Sequence, residues 1–369
     1  MRWSFRIGRL AGIDVYVHAT FFLLILWVVI VHWIAGHSPQ AVANGVIFIV
    51  ALFGCVVFHE FGHALTARHY GIPTKDITLL PIGGVSRFER MPDQPWQEFW
   101  VTIAGPLVNA VIGVLIWLGL FLTNGFQPVA GLSLTGGPFL ERMMMANFAL
   151  AIFNMIPAFP MDGGRILRAL LAMRMNHVRA TQVAAGVGQA LALLFGLAGL
   201  FLNPFLLFIA LFVWIGAAHE AQSVQIKDAF SGIPIRNAMQ TNFTTLTTSN
   251  TLGDAVKALL AGEQQDFPVM WGDQVMGILT RNSLMAGLQE FGPDELVSKV
   301  MQREFVTAEP NEMLEAILGR LSTAPVRTMP IIKNGTLVGL VTLENLGEYL
   351  MVQNALHRRK QTEVPAAQR

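Results

Sequence analysis

His59-Glu60-Phe61-Gly62-His63 is the segment of this 369-residue chain whose residue types and spacing point most directly to chemistry. On a helix, residues four apart share a face and are separated by about 6 Å of rise, so both imidazoles reach one ion. Zinc suits imidazole, and a catalytic zinc takes three protein ligands and a water. Glu60, next along the helix, is placed to take a proton from that water. The surroundings sharpen the reading. Between Ile13 and Ala67 the only acids are Asp14 and Glu60, and ionisable groups in an apolar helix are costly without a function.

Two histidines leave such a site one ligand short. The third is expected from Asp162, in Asn154-Met155-Ile156-Pro157-Ala158-Phe159-Pro160-Met161-Asp162-Gly163-Gly164. Pro157 and Pro160 break a helix, and the glycine pair permits unusual backbone angles. Unwound backbone at membrane depth is tolerated where it lines a wet or protein-buried cavity. The competing reading makes Asp162 a helix N-cap in a loop before residues 165–172. Glu220 and His219 stand behind Asp162 as ligand candidates. Cys55, one turn before His59, reads as a small packing residue. Gly105 and Asn109 read as groups that let one helix approach another closely. His18 reads as an interfacial residue, and His32 and His37 as outer-loop residues.

The elements that must hold these residues are membrane spans. Apolar residues make up 53% of the chain and charged residues only 13%, against about 25% charged in soluble domains. Residues 1–226 hold 12 basic and 9 acidic residues, and residues 227–369 hold 13 and 15. A membrane part is therefore followed by an ordinary soluble part. The net charge of +1 and the lack of a basic run exclude a nucleic-acid binder. One cysteine excludes a disulfide framework.

Six apolar stretches stand out, Ala19–Ala35, Ala41–Ala67, Phe99–Thr123, Met143–Ala158, Val183–Leu202 and Pro204–Ala218, of which the fourth and sixth are short for a span. The first follows Arg2, Arg6 and Arg9 but is long for a cleaved signal peptide. Basic residues cluster before the first stretch, after the second (Arg68, Lys75, Arg87, Arg90) and after the fourth (Arg165, Arg168, Arg174, Arg179). The positive-inside rule then gives six spans with both termini and the C-terminal half cytoplasmic. Arg142 dissents, beside Glu141. Residues 77–88, β-branched and glycine-interrupted, read either as a plain loop or as a re-entrant, β-like segment offering a strand edge to an extended substrate.

Beyond residue 227 the sequence repeats itself. At an offset of 62 without gaps, eleven positions are identical, including Met239/Met301, Pro268/Pro330, Gly277/Gly339 and Thr280/Thr342. Each copy reads as a short strand, a helix, two strands around a turn and a second helix. Two copies that bury each other's sheets make one module. The expected organisation is a membrane domain at 1–226, repeats at 227–291 and 292–353, and a polar tail at 354–369.

The paired H-E-x-x-H and N-x-x-P-x-x-P-x-D-G-G motifs resemble those of the site-2 protease family of intramembrane zinc metalloproteases. Ala64-Leu65-Thr66-Ala67-Arg68, Gly71, Gly83-Gly84-Val85 and Ala104-Gly105-Pro106 with Asn109 extend the likeness. It implies a helical membrane bundle in which His59, His63 and Asp162 ligate Zn2+ and Glu60 is the general base. It further implies that Asn154 positions the substrate or polarises its carbonyl. Residues from the bare pattern alone leave Asn154 equally readable as a helix–helix hydrogen-bonding group. The expected activity is endopeptidase cleavage of transmembrane protein substrates among membrane lipid. Residues 231–352 resemble a tandem pair of CBS domains, a fold that binds ATP or AMP in the clefts between copies and assembles into homo-oligomers. Thr280 and Thr342 stand at the family's ligand positions, but Ser283 and Asn345 replace the ribose-binding acids. A transporter or channel using the His/Asp cluster as an ion site is the alternative, although it gives Glu60 no task.

Overall fold

In the computed structural model, the basic segment ahead of the first apolar stretch is a hairpin, β1 (Ser4–Leu10) and β2 (Ile13–His18). Ile13, Val15 and Val17 are buried while their neighbours are half-exposed, the period-two pattern of a strand with one covered face. Sequence reading had this segment only as the flank of a span, because β1 is exposed along most of its length and shows no alternation. The structure describes residues 3–36, 38–89, 92, 94–124 and 138–362. Arg2, His37, Arg90 and 363–369 lie outside the described residues.

The chain divides into two units, Met1–Val224 and Gln225–Arg369. In the first, the hairpin is followed by α1 (Thr20–Ile34) and α2 (Pro39–His69). Ser38 caps α2 by accepting from the Ala41 N–H at 3.3 Å. Next come β3 (Thr74–Leu80), β4 (Gly83–Phe88) and α3 (Pro95–Asn124). The unit closes with α4 (Phe139–Asn154), α5 (Asp162–Ala172), α6 (His177–Phe201) and α7 (Phe205–Ala229).

Each of the six apolar stretches falls largely within a helix, but among the described residues only α2, α3, α6 and α7 are long and apolar enough to cross a membrane. The first and fourth are the short ones, with 15 and 16 residues. The sixth is not short, because α7 continues through polar residues to Ala229. Pro157 and Pro160 end α4 as expected, and the chain turns through residues 155–161 before α5. Arg142 on α4 sets its guanidinium 4.2 Å from the Phe48 ring centroid, so an aromatic face answers its charge.

The four strands form one sheet in the order β1-β2-β3-β4. β2 and β3 are parallel and the outer pairings antiparallel. Ile13, Val15 and Ile77 pack with Phe61 and Ala64 of α2, which fixes the sheet against the helix bearing the histidines. β4 is an edge strand, and Asp76 of β3 pairs with Arg87 on it.

The second unit holds β5 (Leu246–Thr247), α8 (Leu252–Ala261), β6 (Phe267–Trp271), β7 (Gln274–Leu279), α9 (Arg281–Phe291) and α10 (Val297–Val300), then α11 (Leu314–Thr323), β8 (Thr328–Lys333), β9 (Thr336–Thr342) and α12 (Leu343–Thr362). Two of the eleven identities, Met239/Met301 and Gly277/Gly339, have a packing reason. Gln302 bridges to Ile278 and Gln240 to Leu340, so each copy's leader segment pairs with the other copy's last strand. There Met301 lies on Gly277 and Met239 on Gly339, where an added Cβ would meet sulfur at 2.8 and 2.7 Å. Asn334 and Gly335 take positive φ of 52° and 85°, the backbone of a tight hairpin turn. α12 carries on to Thr362, so the segment from 354, expected as a tail, begins as helix.

Candidate metal centre

Three helices meet at His59, His63 and Asp162. The imidazoles, one turn apart on α2, bring their Nε2 atoms to 3.1 Å of each other. Asp162 Oδ2 lies 3.2 Å from both nitrogens. Asp162 is the first residue of α5, while Met161 holds the cap position, so the capping alternative does not apply. The Gly163–Gly164 pair is helical rather than at positive φ. Its use is close approach: a Cβ on Gly163 would lie 2.1 Å from the Ile156 carbonyl oxygen, and one on Gly164 2.5 Å from the Phe159 nitrogen. The glycines let α5 start against the unwound segment that delivers Asp162.

The donor set fits zinc. His63 donates from Nδ1 to the Val101 carbonyl at 2.8 Å, and His59 from Nδ1 to Asn109 Oδ1 at 2.7 Å. With the proton fixed on Nδ1, each Nε2 keeps its lone pair for a metal. Asp162 Oδ2 is a buried oxygen with no hydrogen-bond donor. Three lone-pair atoms facing one another repel unless a cation sits among them. A tetrahedral zinc with bonds of about 2.0 Å holds its ligand atoms about 3.3 Å apart, close to the separations here. Among the described residues this is the single such His/Cys/Asp/Glu group.

Asn109 does more than allow close approach. It passes the orientation on, donating from Nδ2 to Asn147 Oδ1 at 3.1 Å, and Asn147 donates to the Met143 carbonyl at 2.9 Å. The chain of amides thus runs from α3 to α4, each group satisfied, as buried polar networks require. Gly105 confirms the tight packing: a Cβ there would lie 2.2 Å from His63 Nε2 and 2.8 Å from His59 Nε2.

Glu60 is buried beside the pair, and its Oε2 accepts a hydrogen bond from Ser86 of β4 at 2.6 Å. A Cβ on Gly84 would come within 2.5 Å of Glu60 Cγ, so only glycine lets the edge strand reach this carboxylate. A cavity of about 20 Å³, lined in part by His63, Glu98, Thr102 and Arg165, adjoins the site; that is room for a single water.

Other sequence candidates stand apart. Asn154 ends α4, half-buried, and among the described residues its side chain makes no hydrogen bond to His59, His63, Asp162 or Glu60. Glu220 is engaged by Arg168 at 2.5 Å, and His219 is exposed. Cys55 packs 3.9 Å from Met143 sulfur. His18 bonds Thr20, and His32 the Val28 carbonyl. Sequence reasoning missed Ser86, Val101 and Asn147. Val101 acts through its backbone, which no side chain advertises; Asn147, an amide in an apolar helix, was the readable signal.

In the second unit a cleft of about 1300 Å³ is lined by both repeats, Thr280 and Thr342 included. Thr280 Oγ accepts from the Ser283 N–H at 3.1 Å and donates to Ser283 Oγ at 2.9 Å. Thr342 makes the same pair of bonds with Asn345, at 3.2 and 2.8 Å. The residues standing in for the acids thus close helix caps onto the threonines. Asp266 spans the repeats, accepting from Thr328 Oγ1 at 2.6 Å.

Comparison with known proteins bears directly on this geometry. Residues 47–136 and 133–195 match peptidase family M50, and residues 297–352 match the CBS domain family. A zinc metalloprotease of Methanocaldococcus jannaschii is 32% identical over 344 residues, covering 93% of this chain and 94% of that one. A Synechocystis relative is 28% identical over 364 residues, covering 92% and 94%. The solved site-2 protease from M. jannaschii is 37% identical and covers 59% of this chain and 95% of that one, with a TM-score of 0.45. Kinship with peptidases decides between hydrolysis and transport. The chain belongs to peptidase family M50: it is an integral-membrane zinc metalloprotease carrying CBS domains.

Proposed function

We propose that this chain hydrolyses peptide bonds in or beside the transmembrane segments of membrane-protein substrates, with His59, His63 and Asp162 as the ligands of one Zn2+ and Glu60 as general base. The observation that carries this reading is the convergence of two imidazole Nε2 atoms and an undonated carboxylate oxygen within 3.2 Å. A bound zinc supplies Lewis acidity and brings the pKa of a water toward 7.

The protein's own groups supply the rest. Asn109 and the Val101 carbonyl hold the two imidazoles in the ligating tautomer. Glu60 takes the proton of the attacking water and delivers it to the leaving nitrogen. Ser86 fixes which way that carboxylate points. A helical substrate has no free scissile carbonyl, so it must be unwound first. Among the described residues the edge of β4, which carries Ser86, has no further strand beside it and offers an extended peptide backbone partners beside Glu60. This supports reading residues 77–88 as the re-entrant segment. Asn154 is assigned to the substrate carbonyl, reached once substrate is bound.

Six spans in a cell membrane, with both termini and the CBS module cytoplasmic, follow from the six apolar stretches and the distribution of basic residues. A module at 227–353 built from two repeats, with a cleft of about 1300 Å³, supports ATP or AMP as regulator and self-association through the CBS domains. Glu60→Gln tests the reading. Purified variant should keep its zinc and lose cleavage of a co-reconstituted membrane substrate by about 10²–10⁴-fold, the usual worth of a general base. Undiminished cleavage would overturn it.

A further inference from the structure

Arg168 is 2% exposed and has no part in the reaction, yet three of its donor groups are in use. Its Nε and Nη2 donate to Glu98 Oε1 on α3 at 2.8 and 2.5 Å, and its Nη1 to Glu220 Oε1 on α7 at 2.5 Å. Its guanidinium also faces the Phe159 ring, 5.3 Å from the centroid. A buried guanidinium is tolerated only when paired and hydrogen-bonded, and such a pair contributes orientation more than stability. What it orients follows from where its partners sit. Glu98 lies one helical turn before Val101, whose carbonyl holds His63. Phe159 lies in the unwound segment three residues before Asp162, and Arg168 lies on the helix that Asp162 begins. The clamp therefore joins the turn of α3 that orients an imidazole to both chain segments that deliver the carboxylate.

We propose that Arg168 is a positioning residue for the metal centre: its ion pairs with Glu98 and Glu220 fix α5 so that Asp162 meets the two imidazoles. The proposal rests on His59, His63 and Asp162 being the ligands. Nothing in it needs Arg168 to touch metal or substrate. Loss of the clamp should act on metal binding by moving Asp162 relative to the two imidazoles. Loss of an outer-shell partner of a metal ligand weakens binding by about 10–100-fold.

The test uses the full chain purified in detergent, stripped of metal and titrated with Zn2+ against a chromophoric chelator, alongside the visible absorption of the Co2+ form. R168M leaves the buried Glu98 carboxylate without its guanidinium and so risks misfolding; R168M/E98Q removes that charge, and E220Q keeps an acceptor for Arg168. R168M/E98Q should weaken zinc about 10–100-fold and move the Co2+ spectrum toward that of D162N, while E220Q should cost less than tenfold. In the D162N background R168M/E98Q should weaken zinc no further. Wild-type zinc affinity and Co2+ spectrum in R168M/E98Q would overturn the proposal, as would losses that multiply with D162N. If D162N itself binds zinc as tightly as the parent, the ligand assignment fails instead, and the two failures are told apart.

Discussion

The two units treat polar residues in opposite ways. The membrane unit has few, and of the eleven buried among its described residues seven are bound into the site or brace it: His59, Glu60, His63, Glu98, Asn109, Asn147 and Arg168. The CBS unit has polar residues in quantity, and those in its cleft satisfy one another, as Thr280 does Ser283 and Thr342 does Asn345. Where burial makes polarity expensive, a polar residue is retained for a task and can be read from sequence. Where water is near, the same residue types are cheap and their presence says little.

Gly105→Ala should break the comparison hardest. The added methyl would fall 2.2 Å from His63 Nε2, where a ligand's lone pair is aimed, so both zinc content and proteolysis should vanish in the purified protein. Retention of stoichiometric zinc would show that α3 yields. Asn109→Leu removes the acceptor of His59 and leaves Asn147 without its donor. Zinc affinity should fall about 10–100-fold by chelator competition, with helix content by circular dichroism unchanged.

Ser86→Ala should act on rate rather than metal. A hydrogen bond to a charged group is worth about 1.5–3 kcal/mol, so kcat should drop about tenfold or somewhat more with zinc affinity unaltered. An equal loss of zinc would place Ser86 in the metal site instead. The smallest effect belongs to the cleft. Ten times its Kd of ATP or AMP stabilises a protein by about 1.4 kcal/mol, so the unfolding temperature of the CBS transition should rise by a few degrees. Thr280→Ala with Thr342→Ala should remove that rise. No shift at millimolar nucleotide would leave the module to assembly alone.

The same contrast explains what was legible. The convergence of His59, His63 and Asp162 was, because H-E-x-x-H in an apolar helix has no cheap explanation and Asp162 follows two prolines. The repeats were too, since Met239, Met301, Gly277 and Gly339 recur for one packing reason. The N-terminal sheet was not: β1 is exposed along most of its length and carries no one-sided pattern. Span lengths were misjudged because hydropathy sees where apolar character ends, whereas α7 ends only at Ala229. The role of the Gly163–Gly164 pair was misread, since sequence cannot tell a glycine kept for its φ from one kept for its missing Cβ. The supports of the histidines were only partly visible, one being a backbone carbonyl.

The most direct measurement is zinc K-edge X-ray absorption on the purified full-length protein. Two imidazole nitrogens and oxygen ligands at about 2.0–2.2 Å, with Asp162→Asn weakening metal binding and altering the oxygen shell, is the predicted result. A sulfur-containing shell, or a spectrum and affinity indifferent to Asp162, would contradict it.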